Sequence, residues 1–290
     1  MKFVPKESDG EINLSQQSSL KDLLTLAGGF LGILLGLYLL LGLVVDYGVH
    51  YVSPSTEARL LGGEYWAKAL GSGEILDAET EYVQGLVDEM VRDLREEGDY
   101  PETWFTARVV ENSMENAFAT AGGQIFVTSG FLKSAQSENE LVMVLGHEIG
   151  HILHRDPLRL MGRGLIFALI HLVVGDRVRE SGVFSTTLEL GHSGYSRKQE
   201  FSADEVGLDF LLEKYGHGAG ATEFFERIDD IDGSSGGFGS DIRSTHPDSG
   251  RRVKVINEVL EERGLKKGQP VKNSFAEDER MDKKKKAHSH

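Results

Sequence analysis

Two histidines four residues apart, His147 and His151, enclose Glu148 in the pattern His-Glu-x-x-His. On a helix that spacing puts both imidazoles on one face about a turn apart, which suits two positions of a tetrahedral Zn²⁺. Glu148 follows the first histidine directly, where its carboxylate can take a proton from a zinc-bound water. The chemistry such a set performs is metal-assisted hydrolysis. The reading requires a helix, and the flanks supply one. Ser137-x-x-Glu140 has the form of a capping box. Leu141, Val142, Val144, Leu145, Ile149, Ile152 and Leu153 make a broad apolar surface, and Pro157 blocks continuation beyond Asp156.

A catalytic zinc takes three protein ligands, so a third is needed. Ser196 to Tyr215 reads as a helix capped by Ser196, and Glu200 and Asp204 lie four apart on it. Two carboxylates then stand among Phe201, Val206, Leu208 and Phe210. Acids directed towards a core require a compensating charge or hydrogen bonds. Zinc held by His147 and His151 would meet that need for Glu200. Asp204 could then accept a hydrogen bond from a ligand histidine's other ring nitrogen. Taken alone, the same residues fit a solvated amphipathic helix with ordinary surface carboxylates.

Composition narrows the setting. The 290 residues contain no cysteine, which excludes a disulfide scaffold and thiolate zinc ligands. A net charge of −15 argues against a nucleic-acid partner. Leu23 to Val45 is an uncharged apolar run of 23 residues. As a helix it would extend about 34 Å, enough to cross a hydrocarbon core of about 30 Å. No small-residue cleavage signal follows Val45, so a retained single-pass anchor is expected, with the lipid bilayer as a partner. Lys6 and Lys21 precede the run and Arg59 follows it, which leans towards a periplasmic, non-cytoplasmic catalytic region. A second apolar run, Gly164 to Gly175, is too short to span and reads as a buried helix, with a segment dipping into the membrane surface as the alternative.

The remaining organisation follows from periodicity and turn signals. Residues 1–22 form a polar tail, 23–45 the transmembrane helix, and 46–75 a connector. Residues 76–265 form the main domain and 266–290 a charged, disordered tail. Val83, Leu86, Val87, Met90 and Leu94 recur at helical spacing before Gly98. Phe105–Val110 and Gln124–Thr128 are strand-like, with the turn signal Gly122-Gly123 between them, so a small antiparallel sheet is expected there. Residues 251–263 read as a further helix.

The zinc motif and the Glu200-x-x-x-Asp204 motif together resemble the M48 family of membrane-associated zinc endopeptidases. Asn116-Ala117-Phe118-Ala119 with Gly122-Gly123-Gln124-Ile125 is similar to the family's segment before the zinc helix. Tyr195-Ser196-Arg197, Ala203-Asp204 and the late Ser244-Thr245-His246-Pro247 with Arg252 match it further, over about residues 80–260. The resemblance implies an α+β, mainly α-helical, zincin-like fold. It implies His147, His151 and Glu200 as ligands of one Zn²⁺, Glu148 as catalytic base, and a supporting or proton-donating role for Asp204. Two positions depart from the family pattern. Ala121 stands where proline is common, and Asp156 where histidine is frequent. Neither is expected to touch a ligand.

The late loop is expected near the zinc. There His246 has three options: donating to the oxyanion of the transition state, occupying the metal's fourth position as a plug, or merely packing. Peptide hydrolysis of unfolded or misassembled polypeptides in protein quality control is the expected function. Gln124–Thr128 would serve as an edge strand that pairs with extended substrate. The alternative is a membrane-anchored chaperone or adaptor that binds clients without cutting them. An intact Glu148 argues against it.

Overall fold

The computed structural model describes residues 20–62, 66, 74–174, 195–230, 246, 248–265, 268–273 and 275–276. Most of the two polar tails, the glycine-rich stretch 233–239 and Thr245 and Pro247 of the late loop lie outside the described residues. Helix α1, Leu20–Gly48, contains the whole predicted span and buries none of its residues. It is long and apolar enough to cross a membrane. A turn at Val49–Tyr51 leads to α2, Pro54–Leu61, whose Ser53 cap accepts from the Thr56 N–H.

The helix expected before Gly98 is two. In α3, Asp77–Met90, the side chains of Val83, Leu86, Val87 and Met90 are buried; Val91 interrupts, and α4, Arg92–Glu97, ends at Gly98. Three strands follow: β1, Thr106–Val110, β2, Ala117–Thr120, and β3, Gln124–Thr128. Their order is β1-β3-β2, with β3 antiparallel to β2 but parallel to β1. The sheet is therefore mixed rather than antiparallel. The chain leaves β1, passes the slot beside it, and fills that slot only on its return as β3. This also overturns the expected edge strand. β3 is bonded on both sides and buried throughout, whereas β2 is an edge.

After α5, Ser129–Ser134, comes α6, Glu138–Leu153, which carries the zinc motif. Ser137 Oγ accepts from the Glu140 N–H, as the capping signature predicts. Glu140 does not reciprocate; its carboxylate takes the Gln136 N–H and Arg227 instead. Every residue from Asn139 to Ile152 is buried, so α6 is the central helix of the domain. Helix α7, Asp156–Val174, starts before the predicted second run, with Pro157 in its first turn where no amide donor is needed. It is not simply buried: Leu165 is 50% and Leu169 59% exposed. It lies against α1, with Gly162 on Val45 and Arg163 paired to Asp46 at 2.7 Å.

Helix α8, Arg197–Tyr215, opens with a complete capping box between Ser196 and Gln199. Helices α9, Glu223–Asp230, and α10, Ser249–Glu262, close the domain. The main core joins α3, the sheet, α6, α8, α9 and α10. Residues 268–273 and 275–276, expected within a loose tail, are tied to this body. Val271 N–H donates to Asn139, and Asn273 Nδ2 donates to the carbonyls of Leu132 and Ala135, so they satisfy buried polar groups.

Candidate metal centre

Helices α6 and α8 meet at glycine. A Cβ on Gly146 would stand 2.8 Å from the Cα of Gly207, and one on Gly150 2.9 Å from the Cα of Ala203. Glycine facing glycine or alanine lets the axes approach closely, and that approach sets Glu200 and Asp204 against His147 and His151. His147 Nε2 and His151 Nε2 are 3.1 Å apart. The Glu200 carboxylate lies 3.6 Å from the first and 3.5 Å from the second. His246 arrives from the late loop, its Nδ1 3.1 Å from Glu200 Oε2 and 3.4 Å from His147 Nε2. One donor atom from each of these four buried residues lies within 4.8 Å of all the others.

The rear of each imidazole is held. His147 Nδ1 is 2.9 Å from Asp204 Oδ1, and His151 Nδ1 is 3.0 Å from Asp156 Oδ2. Each carboxylate faces a ring Nδ1, which turns both Nε2 atoms towards the common point. Gln199 and Arg159 donate in turn to Asp156, at 2.6 and 3.0 Å. Tyr195 stacks on His151 with ring centroids 3.9 Å apart. Arg252, only 1% exposed, donates to Asp204 through Nε at 2.8 Å and pairs with Glu200 Oε2 at 2.8 Å.

The electrostatics follow the packing. Burial, then the Arg252 guanidinium, pushes His147 down to about 3, so this imidazole is neutral. Burial opposes charge on His151 too, but Asp156 and the Glu200 and Glu148 carboxylates outweigh it and hold His151 up at about 9. Burial would raise Glu200; His246 and Arg252 reverse this and keep it well below the usual carboxylate range. Glu148 goes the other way, raised because burial dominates. One of its oxygens, Oε2, has no hydrogen-bond partner among the described residues. Beside it Asn116, Ala117, His147, His246 and Arg252 line a cleft with about 10 Å³ of free space, roughly what one water requires.

All six residues singled out in the sequence converge here: His147, His151, Glu200 and His246 around one point, Glu148 beside His246, and Asp204 behind His147. Asp156 corrects the sequence reading, because the position set aside as remote touches a histidine of the motif. Arg252 had no assigned role. Its signal was available: Ser249, Arg252 and Ile256 share the buried face of α10, and an arginine on a core face calls for carboxylates. Two imidazoles and a carboxylate, with no thiolate, are a donor set suited to zinc.

A buried His-Glu-x-x-His helix packed on a second helix that supplies an acid, beside a small sheet, defines a zincin-like metallopeptidase domain. Residues 77–260 match Peptidase family M48, and the chain belongs to this family. It is 32% identical over 157 residues to mitochondrial metalloendopeptidase OMA1 of Arabidopsis thaliana, covering 53% of this chain and 32% of that protein. Over 165 residues it is 28% identical to mitochondrial metalloendopeptidase OMA1 of Homo sapiens, covering 52% and 32%. With metalloprotease LoiP of Escherichia coli it shares 30% over 161 residues, covering 52% and 61%. The chain thus spans about a third to three fifths of the length of these curated relatives.

Proposed function

We propose that this protein is a membrane-anchored zinc endopeptidase acting on unfolded or misassembled polypeptides in protein quality control. The observation that carries the reading is the buried convergence of His147, His151 and Glu200 beside a Glu148 oxygen that lacks a partner among the described residues. His147, His151 and Glu200 would hold the zinc, and Asp204 and Asp156 fix the tautomers of the two histidines. Zinc bound there supplies Lewis acidity, which acidifies a water and polarises the scissile carbonyl. Glu148 takes the proton of the attacking water and delivers it to the leaving amide nitrogen.

Substrate binding is assigned to β2 in place of β3. The Thr128 N–H bonds to the Asn116 carbonyl, so by alternation Phe118 and Thr120 face β3 while Ala117 and Ala119 turn away from it; the Ala119 amide is taken by Glu148, which leaves the Ala117 amide for an extended substrate. An extended chain pairing there is recognised through its backbone, which reads little side-chain sequence. That selectivity suits clients that have lost their fold. Helix α1 spans the bilayer, and the peptidase domain stands on the non-cytoplasmic side.

The test is Glu148→Gln in the purified, zinc-loaded protein. Casein cleavage is expected to fall about 10²–10⁴-fold while zinc stoichiometry stays at one per chain. Cleavage within tenfold of wild type would overturn the mechanism.

A further inference from the structure

Residues 46–75 precede the family-matched segment and read as a passive connector, yet they hold a buried carboxylate. Glu57 of α2 is 3% exposed. Its two oxygens serve two separate parts of the domain. Oε1 accepts the N–H of Gly122 at 2.8 Å, and Oε2 pairs with Arg155 Nη1 at 2.5 Å. Gly122 forms the turn after β2, at φ 89°, and abuts the end of α2 so closely that a Cβ would stand 2.7 Å from Leu61 backbone. Arg155 occupies the left-handed region at φ 60°, between the end of α6 and Asp156. Its guanidinium also donates to the Val52 carbonyl at 3.1 Å and lies over Trp104 at 5.1 Å.

Both contacts lead to the metal centre within a few residues. Arg155 immediately precedes Asp156, which is fully buried and accepts from His151 Nδ1. A left-handed non-glycine residue is costly and persists only where its surroundings hold it, and Glu57 is the anion that does so. Gly122 ends the segment that begins with Asn116 and Ala117 of the cleft and includes Ala119, whose amide supports Glu148.

We propose that Glu57 is a positioning residue of the peptidase. One oxygen sets Asp156, and through it His151; the other sets the substrate-pairing edge strand β2. The proposal rests on the zinc endopeptidase reading above. It makes α2, separated from the end of α1 by five residues, a structural part of the active site rather than a tether.

The experiment compares full-length wild type with Glu57→Gln, Glu57→Ala, Ser53→Ala and Glu148→Gln, all zinc-loaded to matched content, on casein. Glu57→Gln keeps an acceptor for Gly122 and loses the ion pair. It should lower kcat about tenfold with KM within twofold, and weaken zinc in a chelator competition by about tenfold. Glu57→Ala should lower kcat about 100-fold. Ser53→Ala removes the α2 cap without touching Glu57, and should leave kcat per zinc-loaded molecule unchanged. If Glu57→Ala does not fold, Glu57→Gln decides. A kcat within twofold of wild type in Glu57→Gln, or an equal loss in Ser53→Ala, overturns the positioning role. A wild type that does not cleave, or a Glu148→Gln form that does, overturns the parent reading instead.

Discussion

His246 stands with Nδ1 among the ligand atoms and Nε2 3.9 Å from Glu148 Oε1, which places it between metal site and base. That location favours the plug over the oxyanion donor, because a donor should face the substrate carbonyl rather than Glu200. His246→Ala is therefore expected to raise basal casein turnover several-fold at matched zinc content. A loss of about 10²-fold would assign the oxyanion role, and an unchanged rate would leave the ring a packing residue. The sequence alone supplied the histidine and a proline that restricts it. It could not supply the direction of the ring, which depends on Glu200, 46 residues away. Asp156 and Arg252 escaped for the same reason. Their partners lie on other helices, so what each one bonds is not written within its own element.

At the scale of elements, the site depends on how closely α6 and α8 pack. A Cβ on Gly207 would stand 2.7 Å from the Met143 carbonyl oxygen and 3.0 Å from the His147 nitrogen. Gly207→Ala should force the helices apart, at a cost of about 1–3 kcal/mol, and weaken zinc binding. Gly85 in α3 is the contrast, since no atom of the described residues lies within 4 Å of its Cβ position. Gly85→Ala should stabilise the protein by about 0.5–1 kcal/mol and leave zinc affinity alone. Thermal unfolding and chelator competition on both variants check the opposite signs. Periodicity and caps located α3, α6, α8 and α10, because those signals act within a few residues. Helix α9 went unpredicted: its eight residues, Glu223–Asp230, include five that are charged.

At the scale of the molecule, α1 and α7 lie side by side, joined by the Asp46–Arg163 pair where the apolar surface ends. The protein is expected to stay in the membrane on alkaline carbonate extraction, and residues 46–290 to be open to added protease in spheroplasts. Release by carbonate would remove the anchor; full protection would invert the topology. The sequence by itself determined the zinc-motif helix, the acidic helix, the apolar span and their caps. Each is a spacing along one element, and the geometry of a single helix converts spacing into position. Only the tertiary structure decided that β2 rather than β3 is an edge strand among the described residues, that Asp156 and Arg252 brace the ligands, and that Glu57 bonds to Gly122 and Arg155 from the connector. Those are distances between residues on different elements, fixed by which surfaces pack and how closely glycine lets them approach, and no pattern within one element carries that information.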